Sequence, residues 1–153
     1  MTNYLNENGF DITTTKLKSK KQNEKLHKPI KDISCLLNLL RRFDSNIHLC
    51  CLLTYGCLLR PHREIRLLKW SDFNDDLSYL SLSGSRVKSK RNRQVPVPLV
   101  IRKLLLRNEP NINIFSGKEM PYNNDYFKTL FRRFKGLNNH IDNAVTLYSF
   151  RHS

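Results

Sequence analysis

A mainly α-helical chain with one small antiparallel β-sheet, an α+β arrangement, is what the sequence predicts. Apolar residues recur at helical spacing over most of the length, as in Ile33, Leu36, Leu37 and Leu40. Between residues 77 and 97 that period gives way to short alternating runs, bounded by Asn74-Asp75-Asp76, Gly84, Pro96 and Pro98.

The elements follow in order. Residues 1–30 are rich in Lys, Asn and Thr, hold no periodicity and close at Pro29, so they read as a basic linker or arm. Asp32 opens the first helix, whose apolar face is Ile33, Leu36, Leu37 and Leu40 and whose last turn holds Arg41 and Arg42. Ser45 or Asn46 is placed to cap a second helix running to about Leu59, apolar nearly all round and so destined for the interior. Pro61 suits the opening turn of a third helix, 61–69, with Ile65 and Leu68 inward. Leu77 to Ser83 reads as a strand, and Val87 to Val97 as a hairpin with Lys90, Arg91 and Asn92 at its tip. Helical spacing returns at Ile101, Leu104 and Leu105, and after a loop over 108–121 at Phe127, Leu130, Phe131 and Phe134, ending at Gly136. Thr146 is placed to cap a last helix beginning at Leu147.

Composition narrows the function. The 153 residues carry 27 Lys plus Arg against 13 Asp plus Glu, a formal charge of +14. Such a surplus repels itself in the compact state and answers a polyanionic partner. With 39% hydrophobic and 10% aromatic residues the chain is too apolar for a disordered basic tail. No apolar run reaches the roughly 18–20 residues of a membrane span, and MTNYLNENGF lacks the basic-then-apolar order of a secretory signal. Cys35, Cys50, Cys51 and Cys57 form no CxxC pair and sit in Leu-rich stretches, as reduced core residues of a cytoplasmic protein. Phosphate-loop, dinucleotide, zinc-protease and nucleophile-elbow motifs are missing, and the five histidines show no metal-ligand spacing, so no cofactor or metal is expected.

Basic residues are left as the candidates for chemistry. Arg60 ends a buried stretch, where a guanidinium is costly unless it meets an anion or a carboxylate; Glu64 lies four residues on, and an ordinary Arg–Glu pair is the plain alternative. Arg86, Lys88, Lys90, Arg91 and Arg93 crowd one short stretch, either a phosphate-contacting finger or a solvated loop. Tyr148 and Arg151 fall three apart, on one face of a helix.

In order and spacing these stretches resemble the catalytic domain of the tyrosine recombinases, the phage integrases. Thr54-Tyr55-Gly56-Cys57-Leu58-Leu59-Arg60-Pro61-His62-Arg63-Glu64-Ile65-Arg66-Leu67-Leu68-Lys69-Trp70-Ser71-Asp72-Phe73 is similar to the first arginine box. Val87 to Pro98 is similar to the β-hairpin that carries a catalytic lysine, and Leu147-Tyr148-Ser149-Phe150-Arg151-His152-Ser153 to the HxxR box. The resemblance covers about residue 29 to the end. It implies a recombinase-like fold incomplete at its C-terminus, with 1–30 as linker and end of a missing core-binding domain and 31–153 as a partial catalytic domain. It implies that Arg60 and Arg151 clamp the scissile phosphate and that Lys88 acts as general acid toward the 5′ oxygen. Arg86, Lys90, Arg91, Arg93 and His152 are then DNA contacts. The implied function is site-specific recombination of double-stranded DNA through a 3′-phosphotyrosyl intermediate, without metal, by a full-length protein tetrameric on paired sites.

Three departures qualify the match. Glu64 follows Arg60 by four residues where the commoner family spacing is three. Tyr148 stands where HxxR has histidine; it can donate a hydrogen bond but is a poor base near neutral pH. No tyrosine of the chain falls at the nucleophile position, so the expectation is DNA binding without cleavage by this chain alone. The alternatives are a non-catalytic DNA-binding module, a decayed integrase remnant or, with less support, an RNA-binding basic protein.

Overall fold

The computed structural model describes residues 28–153, so most of the basic 1–30 stretch lies outside the described residues. The architecture is mainly helical with one two-stranded antiparallel sheet. Helix α1 (Ile33–Phe43) is capped by Asp32, whose side chain accepts from the Cys35 N–H. It buries Leu36 and Leu40, while Ile33 and Leu37 pack partly buried against the same core.

Helix α2 (Ser45–Gly56) is the hub of the fold. Its cap is Asp44, not Ser45 or Asn46: the Asp44 carboxylate takes the N–H groups of Asn46 and Ile47 at 2.8 and 3.0 Å. A charged acceptor at a helix N-terminus is the stronger cap, since it also meets the helix dipole. Ile47 and the run from Cys50 to Thr54 are buried. Thr54 survives there because its hydroxyl donates to the Cys50 carbonyl at 2.8 Å. The helix stops at Gly56, earlier than the expected Leu59, because Leu58 turns through a positive φ of 54°. All of α1, the short α3 (Leu99–Arg102), α4 (Tyr126–Leu137) and the turns at 61–65 and 147–151 pack on α2.

The expected helix over 61–69 is one π-helical turn, Pro61–Ile65, followed by a 3₁₀ turn, Trp70–Asp72. Tertiary bonds draw the intervening chain out of helix. The Trp70 and Ser71 N–H groups donate to the Ile112 and Pro110 carbonyls, and the Ile114 N–H donates to Leu68. Buried Asn113 fixes that crossing, donating to the Arg66 carbonyl at 2.8 Å and accepting from Phe115 N–H at 2.9 Å. Ile65 and Leu68 point inward as expected, and Phe115 of the 108–121 loop is buried.

The sheet pairs β1 (Tyr79–Leu82) with β2 (Arg93–Pro96), Leu80 opposite Val95. The hairpin is therefore wider than Val87–Val97: its first arm is the preceding strand, and 83–92 is the connection. Inward residues Leu80, Leu82 and Val95 are buried while their neighbours face out, the alternation a one-sided sheet needs. β2 ends at Pro96, which has no N–H for a further rung.

In α3 and the turn after it, Ile101 and Leu105 are buried but Leu104 is exposed. Helix α4 buries Phe127, Phe131 and Phe134 on one face, each worth roughly 1.5–3 kcal/mol of burial. It passes through Gly136 and ends at Leu137, where the Asn138 side chain donates to the Phe134 carbonyl at 2.9 Å. The last element is a 3₁₀ turn, Leu147–Arg151, with Thr146 at its N-cap; the Thr146 N–H donates to Ser149 Oγ at 2.9 Å. Cys50, Cys51 and Cys57 are buried, whereas Cys35 is exposed and is no core residue. No described helix is long and apolar enough to cross a membrane.

Candidate functional site

Arg60 leaves α2 in extended conformation and opens the π-helical turn. Its backbone N–H is taken by the Glu64 carboxylate at 2.8 Å, and Glu64 is only 1% exposed. Glu64 is thus a backbone anchor at the root of Arg60, and the expected side-chain Arg–Glu pair is not formed. The Ile65 and Arg66 N–H groups bond five residues back, to Arg60 and Pro61. The Glu64 N–H bonds the same Arg60 carbonyl four residues back, so the turn begins as an ordinary helical turn and widens to a π-turn at Ile65.

Arg60 is half-buried, and its guanidinium makes no hydrogen bond or ion pair with any described residue. The same holds for Arg151, half-buried at the end of the 147–151 turn. Two partly desolvated guanidinium groups with no carboxylate partner among the described residues are costly in a chain of charge +14 unless an anion meets them. The turns that carry them are joined. Both pack on α2, and the His62 ring lies against the Tyr148 ring at 6.2 Å between centroids.

The 83–92 connection approaches the same turn. Arg86 ties its root down, donating to Asp72 Oδ2 at 2.8 Å and reaching the Glu64 carbonyl at 3.5 Å. Arg86 is therefore committed to holding the loop, and its guanidinium is turned inward. Arg93, on β2, reaches the Cys57 carbonyl at 3.5 Å, just beyond the end of α2. Lys88 and Lys90 are exposed and line, with Arg63, Ser85 and Asn92, an open cleft of about 520 Å³. Arg91 is exposed at the turn of the loop and His152 is exposed beyond Arg151. The loop crosses itself at Gly84, whose N–H meets Asn92 Oδ1 at 2.9 Å and where a Cβ would lie 2.5 Å from the Lys90 carbonyl oxygen.

Two residues of this region stand outside the candidates that the sequence singles out. Arg63 faces the Lys88 cleft, and His62 bridges to Tyr148; both sit inside the Arg60 box, where a composition of Pro, His, Arg and Glu in succession was the available signal. Burial, the largest cause, holds His62 below its ordinary value of 6.5, with Lys128 and Arg66 acting in the same direction and Asp125 against. The imidazole is neutral at pH 7. Compared with protein-family models, curated proteins and solved structures, the chain matches none of them.

Proposed function

We propose that the chain grips a backbone phosphate of double-stranded DNA between the Arg60 and Arg151 turns, with Lys88 reaching in from the 83–92 loop. This is the phosphate-binding part of a tyrosine-recombinase-like site, in which strand transfer proceeds through a 3′-phosphotyrosyl intermediate. One observation carries the reading: two half-buried arginines, unpartnered among the described residues, sit on turns joined by the His62–Tyr148 contact. The planar guanidinium fork matches phosphate oxygens from two directions, and such charge placement is what phosphoryl transfer requires. Lys88 is exposed on a loop anchored by Arg86, which suits a group that must reach a leaving oxygen. Arg63, Lys90 and Arg91 extend the positive surface along the duplex.

A labelled duplex oligonucleotide titrated by fluorescence anisotropy tests the reading. Affinity falls linearly on a log–log salt plot, by about 0.9 per phosphate neutralised, and unlabelled duplex competes better than structured RNA at equal salt. Salt-independent binding, or stronger competition by RNA, overturns it.

A non-catalytic DNA-binding module is the second reading. It is favoured by Tyr148 at the histidine's place in the pattern. Under it, Lys88→Ala weakens duplex binding modestly and no covalent protein–DNA adduct forms. Under the first, an adduct forms in the protein that supplies the tyrosine, and Lys88→Ala slows it.

A further inference from the structure

His62 is a titratable side chain that the phosphate clamp as drawn above leaves unused. Two positions after Arg60, it turns its ring onto Tyr148, which lies three positions before Arg151. The imidazole is the physical link between the two arginine turns. Its Nδ1 is buried and has no hydrogen-bond partner among the described residues. Buried polar atoms are nearly always paired, and an orphan is costly. An apolar side chain would join the same two turns without that cost, so the packing alone does not call for histidine. No described donor holds Nδ1 as an acceptor, and Nε2 makes no hydrogen bond to a described residue, so the neutral ring is free to carry its proton on Nε2.

We propose that His62 is a further residue of the phosphate site, donating from Nε2 to an oxygen of the phosphodiester that Arg60 and Arg151 hold. The proposal rests on the DNA-binding reading above and adds to it a third side chain. The groups that face the imidazole are the Tyr148 ring, Asp125 and Lys128 at the start of α4, and Arg66 of its own turn. Of these only Asp125 favours the charged ring, and burial with the two cations outweighs it. A phosphodiester set against Nε2 adds negative charge on the other side. Bound DNA therefore raises the proton affinity of His62, and by linkage DNA binds more tightly once the ring is protonated.

The experiment follows the His62 Cε1–H resonance through a pH titration, with and without a saturating duplex oligonucleotide, and assigns it by its loss in His62→Gln. The titration midpoint moves to higher pH with duplex present. In parallel, duplex affinity measured from about pH 7.5 to about pH 5.5 rises in the wild type by about tenfold more than in His62→Gln, the scale of one hydrogen bond between charged groups. His140→Gln, on an exposed histidine, keeps the wild-type rise. A midpoint unmoved by duplex overturns the proposal, and this readout needs only the wild-type protein should His62→Gln fail to fold. If Arg60→Ala weakens binding while the His62 midpoint stays fixed, the role of His62 alone falls. If Arg60→Ala binds as the wild type does, the phosphate site itself falls.

Discussion

Arg60→Ala and Arg86→Ala delete the same guanidinium, and the structure gives them opposite consequences. The Arg60 guanidinium has no partner among the described residues, so its loss breaks no described ion pair and relieves a partly desolvated charge. Unfolding free energy should change by no more than about 0.5 kcal/mol. Duplex affinity should fall about tenfold to a hundredfold, from the ~1.5–3 kcal/mol of hydrogen bonds to a charged group. The log–log salt slope should shrink by about 0.9. Arg86 is the reverse case: it pairs with Asp72 at 2.8 Å, with the two side chains only 22% and 16% exposed. Removing it strands a carboxylate that keeps, among the described residues, the Lys69 N–H at 2.9 Å. The cost should be about 1–3 kcal/mol, below the 3–5 kcal/mol of a fully buried pair. Urea unfolding followed by the fluorescence of Trp70, the one tryptophan and buried in the 70–72 turn, reads stability; anisotropy with a labelled duplex reads binding. The reasoning is refuted if Arg60→Ala unfolds the protein while its folded fraction binds normally, or if Arg86→Ala leaves stability untouched.

Gly84→Ala places a Cβ 2.5 Å from the Lys90 carbonyl oxygen, backbone that cannot swing aside. Stability should fall by about 1–3 kcal/mol and duplex affinity with it, both seen in the same two assays, as the loop carrying Lys88 shifts. Cys35 should react with a thiol reagent at once in the native protein, while Cys50, Cys51 and Cys57 react only on unfolding; burial pushes the Cys57 thiol up to about 11 and raises the other two. His48 and His62 are both held below 6.5, mainly by burial, so the unfolded chain binds more protons as pH drops. Their contribution to stability is present above about 6.5 and is lost as pH falls through the lower folded values. Urea unfolding across that window should show the decline, and His48→Gln should flatten part of it.

Where apolar spacing alone decides an element, the sequence was a good guide. The faces of α1 and α4 and the all-round burial of α2 follow from it, since each helix hides whichever stripe water disfavours. Elements shaped by distant partners were not legible. The 61–69 stretch has helical spacing, but hydrogen bonds from 108–121 compete for its backbone and leave only the Pro61–Ile65 turn. Val87 extends the alternation of Val95 and Val97 and makes the expected hairpin narrower than the observed one. Its chain turns instead at Lys90, in the left-handed region at φ 55°, a conformation a lysine does not announce. At the site, the candidate arginines were visible as charges at the ends of apolar runs. The division of labour among them was not, because Arg86 and Arg60 look alike until Asp72 is seen beside the first and no described carboxylate beside the second.

A double-mutant cycle on Arg60 and Arg151, read as duplex affinity, puts the shared phosphate to the most direct test. If both guanidiniums hold one phosphate, losing the second after the first costs less than losing it alone, with a coupling of about 1 kcal/mol or more. Losses that add to within about 0.5 kcal/mol would mean two separate contacts and would contradict the clamp.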